Sequence, residues 1–173
     1  MKNRKIIVKI SAFILSVCMF IWFPIIFSAC TDNNTYSGEL LRLHIRANSN
    51  SAEDQAVKLK VRDSINQYLA DSITATSFAA AYAEIALRLN RISAIADETL
   101  KKHGFYYGAT AELDNEYFPT RVYGNMEVPD GNYDALIIRL GSGSGDNWWC
   151  VVYPPLCYGN KFEYKSIFAE LFG

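Results

Sequence analysis

The sequence predicts an α+β fold: a mostly antiparallel β-sheet with two main helices packed on one face, in the order β-α-α-β-β-β-β with a short C-terminal helix. Three observations predict it. Apolar and polar residues alternate over residues 41–46, apolar residues recur at helical spacing from 51 to 102, and several short alternating runs follow from 105 onwards. Strands and helices that segregate along a chain form separate layers, whereas a parallel sheet would alternate them one by one.

The first strand places Leu41, Leu43 and Ile45 on one side and Arg42, His44 and Arg46 on the other, which reads as half-buried. It ends in the turn cluster Ala47-Asn48-Ser49-Asn50. Ser51, with Asp54 three residues later, makes a capping-box-like helix start, and Glu53 and Asp54 suit the positive end of the helix dipole. Val57, Val61, Ile65, Tyr68 and Leu69 share the apolar face of this helix. A second helix starts near Ser77, with Phe78, Tyr82, Ile85, Leu89, Ile92, Ala96 and Leu100 in one continuous stripe. Glu84–Arg88 and Glu98–Lys102 have i,i+4 spacing on its surface, and Gly104 supplies its C-cap.

From Phe105 the period becomes two. Phe105, Tyr107, Ala109, Ala111 and Leu113 fall on one side, Asp114-Asn115-Glu116 reads as a turn, and residues 117–123 return. Pro119 predicts an edge or a bulge there. A loop at Pro129-Asp130-Gly131-Asn132 leads to a strand at 135–140, whose hairpin partner is 148–153. The glycine-serine run between them reads as a mobile loop: phosphate cradles sit at helix starts, and the next element is a strand. The last helix covers 166–172, with Ile167, Phe168 and Leu171 inward.

Residues 1–30 read as a signal peptide or membrane anchor, 31–38 as a polar linker, and 39–173 as one exported domain. Lys2, Arg4, Lys5 and Lys9 precede 22 uncharged residues, the pattern of a secretory signal whose basic end stays inside. The run is near the roughly 20 residues that span a bilayer, although Pro24 breaks a continuous helix. Phe27-Ser28-Ala29-Cys30 resembles a lipobox, with Phe27 where that pattern usually has Leu. Three outcomes stay open: cleavage and release, lipidation at Cys30, or retention as an anchor. Beyond residue 30, 13 basic residues against 18 acidic ones leave a charge of −5. That gives no electrostatic reason to bind nucleic acid. Apolar residues at 50% and aromatics at 14% predict a packed core.

Credible catalytic chemistry is scarce. The histidines are His44 and His103, and Cys150 with His44 is the one conceivable nucleophile–base pair. Two His and two available Cys show no paired metal-ligand spacing, so neither a metal nor a cofactor is expected. Cys18 lies in the apolar run. Cys150 and Cys157, seven residues apart, form either a disulfide worth about 2–3 kcal/mol or two buried free thiols.

Two segments stand out. The first carries Arg42, His44, Asn48, Asp54, Gln55, Lys58, Arg62 and Asp63, with Lys58 and Arg62 one helical turn apart on a shared face. The second carries Asn147, Trp148, Trp149 and Cys150, then Pro154, Pro155, Leu156 and Cys157. Adjacent tryptophans on a strand point to opposite faces, so if one lies in the core the other is exposed or covered by another element; the alternative is that both pack within the domain. An exposed Trp beside a stiff Pro-Pro turn is binding hot-spot material.

LRLHIRANSNSAEDQAVKLKVRD and NWWCVVYPPLC together resemble the signatures of the stage II sporulation protein R family, over nearly the whole exported part. The resemblance implies a developmental signal of endospore formation. It would be made in the forespore and exported into the space between the forespore and mother-cell membranes. There it would meet the extracytoplasmic part of a membrane-embedded aspartic protease that removes the pro-sequence of sigma-E. The protein would then be a ligand and not an enzyme, and the residues of both segments would form a receptor-binding or fold-defining surface. The rival readings are a peptidoglycan hydrolase using Cys150, His44 or a carboxylate, and an envelope lipoprotein that binds a ligand.

Overall fold

The structure, a computed structural model, describes residues 34–35, 38–123 and 126–157. The chain divides into two compact units, Met1–Asn34 and Thr35–Gly173. The targeting segment with Cys18 and Cys30, most of the linker and the helix expected at 166–172 lie outside the described residues. The elements in chain order are β1 (Asn34–Thr35), β2 (Leu41–Arg46), α1 (Ala52–Ser72), α2 (Phe78–Ala86), α3 (Leu89–Lys102), β3 (Ala109–Phe118), β4 (Arg121–Tyr123), β5 (Met126–Val128), β6 (Gly131–Leu140) and β7 (Asn147–Tyr153). Among the described residues, no helix is long and apolar enough to cross a membrane.

The main sheet has the order β3-β6-β2-β7. β3–β6 and β2–β7 are antiparallel, and β2–β6 is parallel, with Leu43 opposite Leu136 and Ile45 opposite Ile138. The fold is thus α+β with a mostly antiparallel sheet, as expected, but β6 and β7 are not hairpin partners. β2 lies between them. Two strand spacings of about 4.8 Å separate their hydrogen-bonding axes, and the 141–146 connection spans that gap by passing over the C-terminal end of β2.

One face of the sheet carries the helices. Leu41, Leu43, Ile45, Leu136, Ile138, Leu140, Cys150 and Val152 meet Val57, Val61, Ile65 and Leu69 of α1, Ile85 of α2, and Ile92, Ala96 and Leu100 of α3 in one core. The capping predicted for α1 is present: the Ser51 hydroxyl accepts from the Asp54 N–H at 3.1 Å. The single second helix is in fact two, broken at Leu87 and Arg88. The Arg88 N–H bonds back three residues to Ile85 at 2.8 Å, a tighter turn that ends the helix without Gly or Pro. Glu84 and Arg88 pair across that joint as their spacing predicts, whereas Glu98 pairs with Arg91.

The expected turn at Asp114-Asn115-Glu116 is the middle of β3. Asp114 and Glu116 are strand residues opposite Ala135 and Tyr133, and the reversal falls after Phe118, next to Pro119. On the face away from the helices, β4 and β5 pair antiparallel in a smaller sheet. Met126 and Val128 pack there against Leu40 and Val151. β2 is therefore covered on both sides, and Arg42 and His44, expected on a half-exposed face, are 0% and 4% exposed.

Candidate functional site

The topology sorts the residues of the two segments into three places. The first is the C-terminal end of β2, where the 141–146 connection crosses it. The Asn48 side chain donates to the Asp54 carboxylate at 2.9 Å and accepts from the Ser142 N–H at 3.0 Å. The Asn48 carbonyl takes hydroxyl bonds from Ser142 (2.7 Å) and Ser144 (3.0 Å), and Gly145 N–H donates to Ala47 at 2.8 Å. Asp54 also accepts from Ser49 at 2.6 Å and Tyr107 at 2.9 Å. Gln55 donates to the Ser49 carbonyl at 2.9 Å, and Lys58 donates to Gln55 at 2.6 Å and to the Asp146 carbonyl at 2.9 Å.

These bonds clasp two loops together. The glycine-serine run is therefore pinned and not mobile. A Cβ on Gly145 would lie 2.2 Å from the Ser49 carbonyl oxygen, so only glycine lets the backbones approach this closely. Burial alone would push the Asp54 carboxyl up. The hydrogen bonds from Ser49, Asn48 and Tyr107 outweigh it and hold the carboxyl below its ordinary value. Burial, reinforced by the Asp54 carboxylate, pushes the Tyr107 phenol up. Burial likewise pulls Lys58 down, against the favourable charge of Asp146.

The second place is the face of the sheet away from the helices. Arg42 sits in an aromatic cage, its guanidinium carbon 4.5 Å from the Phe118 ring centre, 5.2 Å from Tyr133 and 5.7 Å from Tyr123. Its Nε donates to the Cys150 carbonyl at 3.2 Å and its Nη2 to the Tyr123 hydroxyl at 3.1 Å. Burial lowers its pKa, with Tyr123 and Tyr133 opposing. His44 donates through Nδ1 to Glu116, whose other oxygen pairs with Arg46. Among the described residues, Arg42 Nη1 and His44 Nε2 are buried without a hydrogen-bond partner.

The third place is β7 and the turn after it. Trp148 and Trp149 do point to opposite faces. Trp148 packs against the helix-side core with Arg62 5.4 Å from its ring centre, and Trp149 lies 5.6 Å from His44 on the other face, with Arg121 4.3 Å above it. Each half-buried ring thus has an arginine on it. Lys58 and Arg62 share a face, as their spacing predicts, and that face meets the start of β7, while Asp63 pairs with Arg62 at 2.7 Å on the surface. Asn147 is exposed, Pro154 buried, and Pro155 and Leu156 half-buried. Cys150 and Cys157 form a disulfide with Cα atoms 5.9 Å apart.

This geometry separates Cys150 from His44. The thiol is consumed, and Cys150 packs in the helix-side core, while His44 faces Glu116 and Trp149 across the sheet. Among the described residues, no three His, Cys, Asp or Glu side chains gather to hold a metal. Sequence reasoning missed Glu116, Arg121, Tyr123 and Tyr107 as partners. The alternation Glu112, Asp114, Glu116 was a signal for the first of these, since it keeps period two through the supposed turn.

The family model described as stage II sporulation protein R (spore_II_R) matches residues 37–163. The chain is 43% identical over 121 residues to the stage II sporulation protein R of Bacillus subtilis (strain 168). The alignment covers 69% of this chain and 54% of that relative, so it spans about half the relative's length. No solved structure matches. On the family match and this identity, the chain belongs to the stage II sporulation protein R family, and its role lies in sporulation.

Proposed function

We propose that the protein is an exported signal between the two compartments of a sporulating cell. It leaves the forespore through its N-terminal segment and enters the space between the forespore and mother-cell membranes. There it engages the extracytoplasmic part of a membrane-embedded aspartic protease, which then processes pro-sigma-E. It acts as a ligand and does none of the bond cleavage itself.

The observation that carries this reading is the surface around Trp149. A half-buried tryptophan stacks under Arg121, and the disulfide-closed turn with Pro155 and Leu156 follows on the same strand. Aromatic and arginine side chains held rigid in this way are the residues that dominate binding energies at interfaces. Pre-organisation also keeps the entropy lost on binding small.

The test is co-expression of the protease and its pro-sigma-E substrate with and without this protein. Processing is expected only when the protein is present. Trp149→Ala and Pro155→Ala are expected to abolish processing while exported protein levels stay normal. Buried Pro154 serves as the contrast, because Pro154→Ala is expected to lower the level itself. Levels that fall in parallel with processing for Trp149→Ala would show that the ring serves folding and not contact.

A further inference from the structure

The loop from Cys150 to Cys157 joins two apolar clusters on opposite sides of the sheet. Cys150 lies in the helix-side core and Cys157 packs against it. Between them, Val151 belongs to the other cluster with Leu40, Met126 and Val128, and Leu156 packs against it. The chain thus leaves the main core, feeds the smaller one, and is returned by the S–S bond. The Val151 N–H points at the Cys157 sulfur, 2.9 Å away.

The same loop is bonded to the smaller sheet. The Cys150 carbonyl accepts from Arg42, and Arg42 donates to the Tyr123 hydroxyl of β4. A connected path therefore runs from Cys157 through Cys150 and Arg42 to the β4–β5 pair. The helix–sheet core is built differently: Leu43, Ile65, Leu100 and Ile138 are fully buried against one another by apolar packing.

We propose that the Cys150–Cys157 disulfide is an oxidative gate on the face of the sheet away from the helices. With both thiols reduced, the helix–sheet core is folded, while the Pro154-Pro155-Leu156 turn and the β4–β5 pair are unfixed. Oxidation fastens them. In that step both thiols give up their protons, a Cys150–Cys157 S–S bond forms, and two electrons pass to an external disulfide, which is cleaved to two thiols. Thiols stay reduced in the cytoplasm and oxidise beyond it. The surface around Trp149 is therefore completed only after export, and protein still in the producing cell is inert. The inference rests on the export reading proposed above.

Amide hydrogen exchange on the full chain in detergent, oxidised and then treated with a thiol reductant, tests the gate without any partner. Reduction is expected to speed exchange in 121–123, 126–128 and 156–157 by about tenfold or more, leaving 57–69 and 136–140 unchanged. The Cys150→Ser/Cys157→Ser double variant is expected to match the reduced protein. Equal protection in both states overturns the gate. So does a loss of protection that spreads through 57–69, because the bond then holds the whole fold. Thiol alkylation supplies the second measurement: two labelled cysteines are expected at 150 and 157 in protein retained in the cytoplasm and none in exported protein, and labelling of both after export overturns the proposal. If wild-type protein does not stimulate pro-sigma-E processing, the signalling reading falls, while the exchange contrast still decides the gate.

Discussion

The C-terminal end of β2 and its face away from the helices are built on opposite rules. At the end, among the described residues, no buried side-chain polar atom of the clasp around Asn48 and Asp54 lacks a partner, and the Asp54 carboxylate alone takes bonds from Asn48, Ser49 and Tyr107. On the face, Arg42 Nη1 and His44 Nε2 are buried unpaired among the described residues, and aromatic rings surround the guanidinium where a carboxylate would ordinarily sit. Saturated polar networks hold a unique geometry, and half-satisfied ones cost stability. The clasp is therefore the architectural part of the family segment, while Arg42 and His44 occupy a place that stability alone does not explain.

The sharpest way to break this contrast is Asp54→Ala. It strands three donors at a buried site, and the expected loss is about 3 kcal/mol, read from chemical denaturation. Asp54→Asn adds a pH signature. A carboxyl held below its ordinary value stabilises the folded chain fully above the unfolded-state value of about 3.9, and that contribution is lost as pH falls through the folded-state value. The wild type's advantage over Asp54→Asn should therefore be constant near neutral pH and shrink below about pH 4. A constant difference down to pH 2 would show that Asp54 is not ionised in the clasp.

Much of this end was legible in the sequence. Ser51 and Asp54 announced the helix start, and the helical spacing of Lys58 and Arg62 put both on one face, which the structure turns toward the start of β7. The partner loop was not legible. A glycine-serine run reads as flexible because its composition carries no packing information, and its bonds come from Asn48 and Asn50, about 95 residues upstream, once β2 inserts between β6 and β7. The break at Leu87 was hidden for a similar reason: the apolar stripe continues across it, and only tertiary packing decides where the axis turns. On the other face, period two in β2 gave the strand correctly. It failed on burial, because the cover comes from large side chains brought together by tertiary pairing: Phe118, Tyr133 and Tyr123 around Arg42, and Phe118 and Trp149 against His44.

Gly145→Ala is the next largest step and probes the clasp from its other side. Gly145 has no left-handed backbone to preserve, so the whole penalty is the contact between the new Cβ and the Ser49 carbonyl. About 2 kcal/mol is expected, since backbone must move to relieve it. Gly104→Ala is the control: its φ of +85° carries strain, but nothing lies within 4 Å, and about 1 kcal/mol is expected. A Gly145 variant no worse than the Gly104 variant would mean that the two loops are not clasped in solution.

The smallest stability effect is expected where the contacts look most elaborate. Arg42→Met keeps a long side chain for Phe118 and Tyr133 to pack on, and it removes a charge that meets no carboxylate among the described contacts. Replacing buried charge by apolar volume is often neutral or stabilising, because desolvation of the ion disappears with it. The lost bonds to the Cys150 carbonyl and the Tyr123 hydroxyl offset part of that gain, so the net change is expected to stay within about 1 kcal/mol. Denaturation of Arg42→Met beside Asp54→Ala measures the comparison directly. If Arg42→Met costs as much as Asp54→Ala, the face is architecture too, and the distinction between the two regions of β2 is lost. If it costs little and pro-sigma-E processing still drops at normal protein levels, Arg42 is kept for the β4–β5 surface it organises rather than for the stability of the fold.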